Sequence, residues 1–236
     1  MKARAQAEVA QANRILAHLG ILDAYGHVSA RLPGRADRFL ISRSLAPALV
    51  TVEDLMELDL DGEPAAGDER KPYLERFIHG AIYRARPDVQ AIVHSHAPSV
   101  IPFSVSSARL RPVCHMSGFL GGGAPVFDIR RHFGCTDMLV RNAGQGAELA
   151  RSLGSHAAAL MRGHGFVVVG GSVQSAVYRA VYTEWNARLQ REAISLGGHV
   201  TYLSEEEAAL AEAANAGTVE RPWQLWLREC GLNEQA

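Results

Sequence analysis

The chain has 236 residues, the length of one ordinary globular domain, and its 47% hydrophobic and 21% charged residues exclude a disordered protein. The 24 Lys and Arg against 25 Asp and Glu leave a formal charge of -1, which gives no overall attraction to nucleic acid or to an anionic membrane. The 3 cysteines, an odd count without close pairing, are typical of reduced thiols in a cytoplasmic protein.

Hydrophobic periodicity and turn residues predict alternating helices and strands in the first half of the chain. No apolar run approaches the roughly 20 residues that span a bilayer, so we expect no membrane partner. The predicted elements are a helix over 3–20, a strand and turn over 25–34, a strand over 39–42, a helix start or turn over 51–55, a helix over 73–86 and a strand over 89–96.

The second half continues this alternation without a repeat, a low-complexity linker or a domain boundary. Its predicted elements are a flexible loop over 118–127, a helix over 142–153, strands over 158–161 and 166–169, a long helix over 172–196, a helix from Ser204 and an aromatic tail over 221–226. The pattern predicts a single α/β domain over 1–236, with a core at about 8–200 and a C-terminal helix and tail at 201–236.

His94 and His96 stand two residues apart at the end of a predicted strand. Because alternate strand residues share a face, both imidazoles project to one side, as two ligands of one metal ion must. Two ordinary histidines near a strand end are the alternative interpretation.

Glu75 and His164 strengthen the metal hypothesis. Glu75 lies among apolar residues on a predicted helix, where a carboxylate is costly unless it is paired or bound to a metal. A surface salt bridge to Arg76 or Arg86 is the alternative. His164 stands between Gly163 and Gly165, and glycines allow a close approach of the backbone to a ligand, although a tight turn would also explain them.

Together these motifs resemble the class II aldolase/adducin family in order and spacing. The resemblance is carried by segments 75–79, 93–97 and 163–165, supported by 26–29 and 41–44, and it spans residues 8 to about 200. It implies a three-layer α/β/α domain with a central, mainly antiparallel sheet. It also implies a homotetramer with active sites at subunit interfaces.

The resemblance assigns one divalent metal per subunit to His94, His96 and His164, with Glu75 as fourth ligand or as the acid/base that substrate displaces. Zn²⁺ or Mn²⁺ is the expected metal, with Fe²⁺ or Co²⁺ as alternatives, because imidazole and carboxylate ligands suit all four. Three neutral imidazoles leave the double charge of the metal intact, which makes it a strong Lewis acid.

Departures from the sugar-phosphate aldolases indicate a different substrate. Tyr73 and Leu74 replace small hydroxyl residues that grip phosphate, and Ser44 is followed by leucine instead of glycine. These changes remove phosphate-binding amides and favour an aromatic ring. Arg43 offers a planar fork for a carboxylate, unless it is simply an exposed surface residue. His27 stands where those aldolases have asparagine.

His115 aligns with the catalytic tyrosine that the family donates across the subunit interface, although a loop-packing role is an alternative. The whole pattern resembles the decarboxylase branch, whose members act on hydroxylated aromatic or heteroaromatic carboxylates. That resemblance implies Glu75 and His115 as proton donors and His79 as a supporting residue. Substrate-binding residues are then expected at His27, Ser29, Arg43, Ser44 and Tyr73, with His79 behind them.

The sequence therefore predicts a metal-dependent, non-oxidative decarboxylase acting on a small hydroxyaromatic carboxylate. The alternatives are a metal-dependent aldolase on a non-phosphorylated substrate and a non-haem iron oxygenase on the same scaffold. A non-catalytic, adducin-like interaction module would not need the quartet of Glu75, His94, His96 and His164.

Overall fold

The computed structural model of the protein describes residues 1–232. The strands are β1 (His27–Leu32), β2 (Arg35–Ser42), β3 (Leu55–Asp59), β4 (Ala91–Ser95), β5 (Val126–Phe127), β6 (Ala158–Met161) and β7 (Gly165–Gly170). The helices are α1 (Lys2–His18), α2 (Arg76–Ala85), α3 (Ile101–Val105), α4 (Arg130–Phe133), α5 (Ala143–Leu153), α6 (Val173–Ser195), α7 (Glu205–Ala216) and α8 (Glu220–Glu229).

The strands form one 7-stranded sheet in the order β3-β2-β1-β4-β7-β6-β5. Neighbouring strands are antiparallel except β5 and β6, which are parallel. This arrangement confirms the predicted α/β class with a mainly antiparallel sheet.

Two hydrophobic cores lie on opposite faces of the sheet, as expected when helices cover both sides. One core contains apolar residues of α1, α6 and α8, and the other contains those of α2 and α5. In β4, Val93 packs in the first core and Ile92 in the second. Since side chains alternate along a strand, His94 belongs to the α2 face, as does its cross-strand neighbour His27.

One predicted boundary is wrong in a way that affects the site, and one strand was not predicted. The helix expected over 73–86 begins at Arg76, so Glu75 is its N-cap residue instead of a residue inside it. The helix start or turn expected over 51–55 is a short 3₁₀ turn, Val52–Asp54, which leads into the unpredicted strand β3. The Asp54 carboxylate closes this turn by accepting from the Thr51 amide and hydroxyl.

The loop expected over 118–127 begins with a 3₁₀ segment, His115–Leu120, and ends in β5. The aromatic tail is helical, because α8 buries Trp223 and Trp226 in the core beside α1 and α6. Within residues 1–232, the helices are all too short or too polar to cross a lipid bilayer.

Candidate metal centre and adjoining cavity

Four side chains from separate elements converge at one end of the central strands. His94 lies near the end of β4, His96 follows that strand, and His164 occupies the turn between β6 and β7. Glu75 reaches them from the start of α2. One ligand atom from each residue falls within a group whose members are all within 4.8 Å of one another.

Four of the six distances among the ligand atoms lie near those of a tetrahedral site. The Nε2 of His96 lies 3.0 Å from that of His94 and 3.1 Å from that of His164. The Glu75 Oε2 lies 3.4 Å from the His164 Nε2 and 3.6 Å from the His94 Nε2. Metal–ligand bonds of about 2.0–2.1 Å would place tetrahedral ligands about 3.3–3.4 Å apart.

Each of the three histidines uses its other ring nitrogen to donate to a fixed acceptor. The His94 Nδ1 donates to the Phe166 carbonyl oxygen at 3.1 Å, and the His164 Nδ1 to the Met138 carbonyl oxygen at 3.1 Å. The His96 Nδ1 lies 3.1 Å from the Oδ2 of Asp23. Because a neutral imidazole has one hydrogen, all three Nε2 atoms present lone pairs to the same point.

This donor set fits a divalent cation. Lone pairs about 3 Å apart repel one another unless a positive charge lies between them, and the Glu75 carboxylate adds a negative charge beside them. Burial alone would raise the pKa of Glu75. Without a metal, hydrogen bonds from Nε2–H groups of His164 and His94 hold that pKa well below its usual range, and a cation in place of those hydrogens acts in the same direction. Glu75 is therefore ionised in either case, and the four residues form a cluster that could hold one metal ion.

A short segment before α5 positions Glu75 and His164 through backbone hydrogen bonds. The Val140 amide donates to the Glu75 Oε1 at 2.9 Å, which leaves Oε2 directed at the imidazoles. Two residues earlier, the Met138 carbonyl accepts the His164 hydrogen bond. Met138 has a φ of 68°, a left-handed conformation found at no other non-glycine residue within 1–232. We refer to residues 138–140 as the clamp segment.

We call Glu75, His94, His96 and His164 the ligand cluster, and a cavity of about 480 Å³ adjoins it. Apolar and aromatic side chains supply much of its wall, and the Tyr73 ring lies 4.6 Å from the His27 ring, measured between centroids. The lining residues are Ala24, Tyr25, His27, Ser44, Leu45, Ala46, Tyr73, Leu74, Glu75, His96 and Leu139. A flat ring with a few polar substituents suits such a wall.

Four predicted catalytic or substrate-binding residues, Ser29, Arg43, His79 and His115, are not among the residues within 1–232 that line this cavity. The Arg43 Nε donates to the Asp54 Oδ1 at 2.7 Å. The buried Ser29 hydroxyl is engaged by His79 and Tyr83. His115 is exposed, and the Asn215 side chain donates to its carbonyl oxygen at 3.0 Å. Substrate contacts of Arg43 and Ser29, and proton transfer by His115, stay predictions.

His79 lies behind the cavity wall instead of in it. Its Nε2 is 2.7 Å from the His27 Nδ1, and both rings are buried. Burial, reinforced by the charge of neighbouring imidazoles, lowers the pKa of His79 to about 3 and the pKa of His27 well below its ordinary value. Both rings are therefore neutral near pH 7.

Sequence reasoning missed three contributors to the site. Asp23 lies in the loop before β1, where no periodicity marks it. The Val140 amide acts through the backbone, which no side-chain pattern reveals. Tyr83 was detectable, because it follows His79 by one helical turn on α2 and shares its face.

The chain belongs to the Class II Aldolase and Adducin N-terminal domain family, whose profile matches residues 7–191. This membership confirms the predicted family. A solved L-fuculose 1-phosphate aldolase from Glaciozyma antarctica has a TM-score of 0.78 and 26% identity, with 98% of this chain and 91% of that chain covered.

Two curated relatives of this chain are named as decarboxylases. Decarboxylase tropJ of Talaromyces stipitatus is 41% identical over 232 residues, covering 89% of this chain and 87% of that protein. The 3,4-dihydroxyphthalate decarboxylase of Arthrobacter keyseri is 31% identical over 238 residues, covering 94% and 92%. These similarities agree with the predicted enzyme class, a carbon–carbon lyase of the carboxy-lyase type.

Proposed function

We propose that the protein is a metal-dependent, non-oxidative decarboxylase of a hydroxylated aromatic or heteroaromatic carboxylate. The observation that carries this proposal is the convergence of three imidazole lone pairs and one carboxylate beside a cavity with aromatic and apolar walls. Similarity to a 3,4-dihydroxyphthalate decarboxylase supports the aromatic substrate class.

His94, His96 and His164 would hold the metal, and Glu75 would complete the site until substrate enters. The metal would supply a Lewis acid that stabilises negative charge on substrate oxygens as carbon dioxide leaves. Because the three imidazoles are neutral, they do not reduce the double positive charge of the metal. Zn²⁺ or Mn²⁺ is expected, and Fe²⁺ and Co²⁺ fit the same donors.

Glu75 is placed to move a proton, since it lines the cavity and is ionised. It would take the proton of the ring hydroxyl and return that proton to the ring carbon from which carbon dioxide has departed. His115 is the second candidate for this proton. Because it lies outside the cavity of its own chain, it would act in the cavity of a neighbouring subunit of the expected homotetramer.

The cavity orients the ring through its walls. Tyr73, Leu74 and Leu45 would pack against the faces of the ring and exclude water, while His27 and Ser44 offer polar contacts to its substituents. The Tyr73 hydroxyl donates to the Leu45 carbonyl, which fixes this wall. A second carboxylate on the ring is therefore expected to face His27 and Ser44.

A direct assay tests the proposal. The purified protein is stripped with a chelator, reloaded separately with Zn²⁺, Mn²⁺, Fe²⁺ or Co²⁺, and supplied with a panel of ortho-hydroxyaromatic mono- and dicarboxylates. We expect one carbon dioxide per substrate consumed, without oxygen uptake, from a metal-loaded sample and none from the stripped sample.

Other products would overturn the proposal in identifiable ways. Aldehyde release from a hydroxycarbonyl substrate would show an aldolase, and stoichiometric oxygen consumption would show an oxygenase. Failure of every metal-loaded sample to convert any of these substrates would favour a non-catalytic module. Light scattering of the same sample tests the predicted homotetramer, and its cytoplasmic location stays a prediction from the cysteine content.

A further inference from the structure

Four buried side chains form a hydrogen-bonded row that leads from the core to the cavity. The Tyr83 hydroxyl lies 2.8 Å from the Ser29 Oγ, which lies 2.6 Å from the His79 Nδ1. The His79 Nε2 then lies 2.7 Å from the His27 Nδ1. Each of the four residues is 1% exposed or less. We call this row the buried relay.

The tyrosine end sets the direction of every hydrogen bond in the buried relay. A buried hydroxyl must donate its hydrogen, because an unpaired donor costs about 1–3 kcal/mol. Within residues 1–232, Ser29 is the acceptor that the structure gives to the Tyr83 hydroxyl. Tyr83 therefore donates to Ser29, and the single hydrogen of Ser29 is left for the His79 Nδ1.

The same donor-to-acceptor order continues through the imidazoles of His79 and His27 to the cavity. His79 accepts at Nδ1, so its one hydrogen lies on Nε2 and is donated to the His27 Nδ1. Because the His27 Nδ1 accepts this hydrogen, the hydrogen of His27 itself must lie on Nε2. The structure shows no other residue within 1–232 bonded to that nitrogen, and the His27 ring lines the cavity. His27 therefore presents an N–H group to the cavity.

We propose that Tyr83, Ser29 and His79 are positioning residues that lock His27 as a hydrogen-bond donor for a substrate oxygen. This proposal rests on the proposed function for the identity of the substrate, whereas the locked tautomer rests on the structure of the buried relay. The His27 ring centroid lies 5.1 Å from that of His94, so a substrate at the ligand cluster is within reach of His27.

A locked donor determines specificity. A carboxylate or oxo oxygen at this position of the substrate accepts the N–H, and a charged acceptor makes the stronger bond. An ammonium or a protonated amide nitrogen there would face the N–H with no acceptor and would be rejected. The buried relay thus selects a ring that carries an oxygen acceptor within reach of His27.

The tautomers can be measured on the unaltered protein. Nitrogen-15 NMR of histidine-labelled, metal-loaded protein distinguishes protonated from unprotonated ring nitrogens, and the signals are assigned with single His27→Gln and His79→Gln variants. We expect His27 and His79 to carry hydrogen on Nε2 and to lack it on Nδ1. An unprotonated Nε2 at His27 would overturn the proposal.

Kinetics of Ser29→Ala test the role of the buried relay. Removing this hydroxyl leaves the His79 Nδ1 without its donor, so His79 should populate both tautomers and kcat/KM for a dicarboxylate should fall about 3- to 10-fold, chiefly through KM. His27→Phe should lower kcat/KM about 10- to 100-fold for the dicarboxylate and only a few-fold for a monocarboxylate lacking that acceptor.

Thr183→Val provides the control, because it removes a buried hydroxyl that bonds within α6, and its kinetics and histidine spectra should be unchanged. Equal losses for both substrates in His27→Phe, or unchanged His79 tautomers and kinetics in Ser29→Ala, would overturn the proposal. The predicted tautomers in a protein that converts no hydroxyaromatic acid would instead locate the failure in the proposed function.

Discussion

The ligand cluster and the buried relay use the same residue type in opposite ways. In the ligand cluster, His94, His96 and His164 donate outward through Nδ1 and direct Nε2 lone pairs inward. In the buried relay, His79 accepts at Nδ1 and donates at Nε2, so that His27 offers a hydrogen to the cavity. The two groups meet where His27 faces His94 across neighbouring strands.

The difference shows that the second partner of each imidazole decides its chemistry. A carbonyl or carboxylate behind Nδ1 makes a metal ligand, and a hydrogen donor behind Nδ1 makes an N–H donor. The partners lie on other elements of the fold, including the loop before β1 and the clamp segment. The same substitution is therefore expected to have different consequences in the two groups.

Removing an imidazole from the ligand cluster should have the largest effect. His96→Ala deletes one of three neutral donors, and we expect loss of bound metal and at least about a 1,000-fold fall in carbon dioxide release. Elemental analysis and a product assay measure both. His199→Ala, at an exposed histidine, is the matched control. Full metal content and activity in His96→Ala would remove His96 from the site.

Glu75→Gln separates metal binding from proton transfer. The amide oxygen can still accept from the Val140 amide, but the side chain has no charge and cannot carry a proton. We expect kcat to fall about 100-fold or more while three imidazoles retain most of the metal. The exposed Glu192→Gln variant serves as the control. An unchanged kcat would exclude Glu75 from the chemistry.

Asp23→Asn tests whether the hydrogen-bond acceptor of the His96 Nδ1 affects the affinity for the metal. The carboxylate that accepts the His96 Nδ1 also accepts the backbone amides of Tyr25 and Gly26, each at 2.9 Å. An amide can replace these acceptors only in part, so metal affinity should fall about 10-fold without unfolding. Competition with a coloured chelator measures the affinity. An unaltered affinity would show that the Asp23 charge does not support His96.

The buried relay should also appear in the pH dependence of stability. Burial places the pKa of folded His79 at about 3, below the ordinary value of 6.5, so the unfolded chain binds the extra proton first. Stability is therefore lost as pH falls from about 6.5 toward about 3, with a slope of up to about 1.4 kcal/mol per pH unit from this group. His79→Gln should reduce the slope of the unfolding free energy against pH, measured by urea titrations at several pH values. An unchanged slope would contradict this prediction.

The members of the ligand cluster were predictable because two of them obey a local rule. His94 and His96 share a strand face through their spacing, and the family motifs then brought in Glu75 and His164. The buried relay was predicted only in part. Its members were named as substrate-binding or supporting residues, but their order depends on contacts between β1 and α2 that no short sequence window contains.

The secondary structure was likewise predictable only where a local sequence pattern defines it. Helices α1, α5 and α6 follow from long periodic patterns, and their predicted bounds are close to those of the structure. Strand β3 was missed because its five residues follow a capped turn that also starts many helices. The N-cap position of Glu75 could not be foreseen either, since the contacts of its side chain are with Val140, His94 and His164, which lie far away in the sequence.

The clamp segment has a consequence for anyone who would re-engineer this scaffold. Since Met138 and Val140 hold His164 and Glu75 through backbone atoms alone, side-chain substitutions there leave the hydrogen bonds in place, whereas inserting or deleting one residue displaces both ligands together. Glycine at 138 would relieve the steric strain of the left-handed backbone. Loop length before α5, more than loop composition, is what a library built on this protein should hold constant.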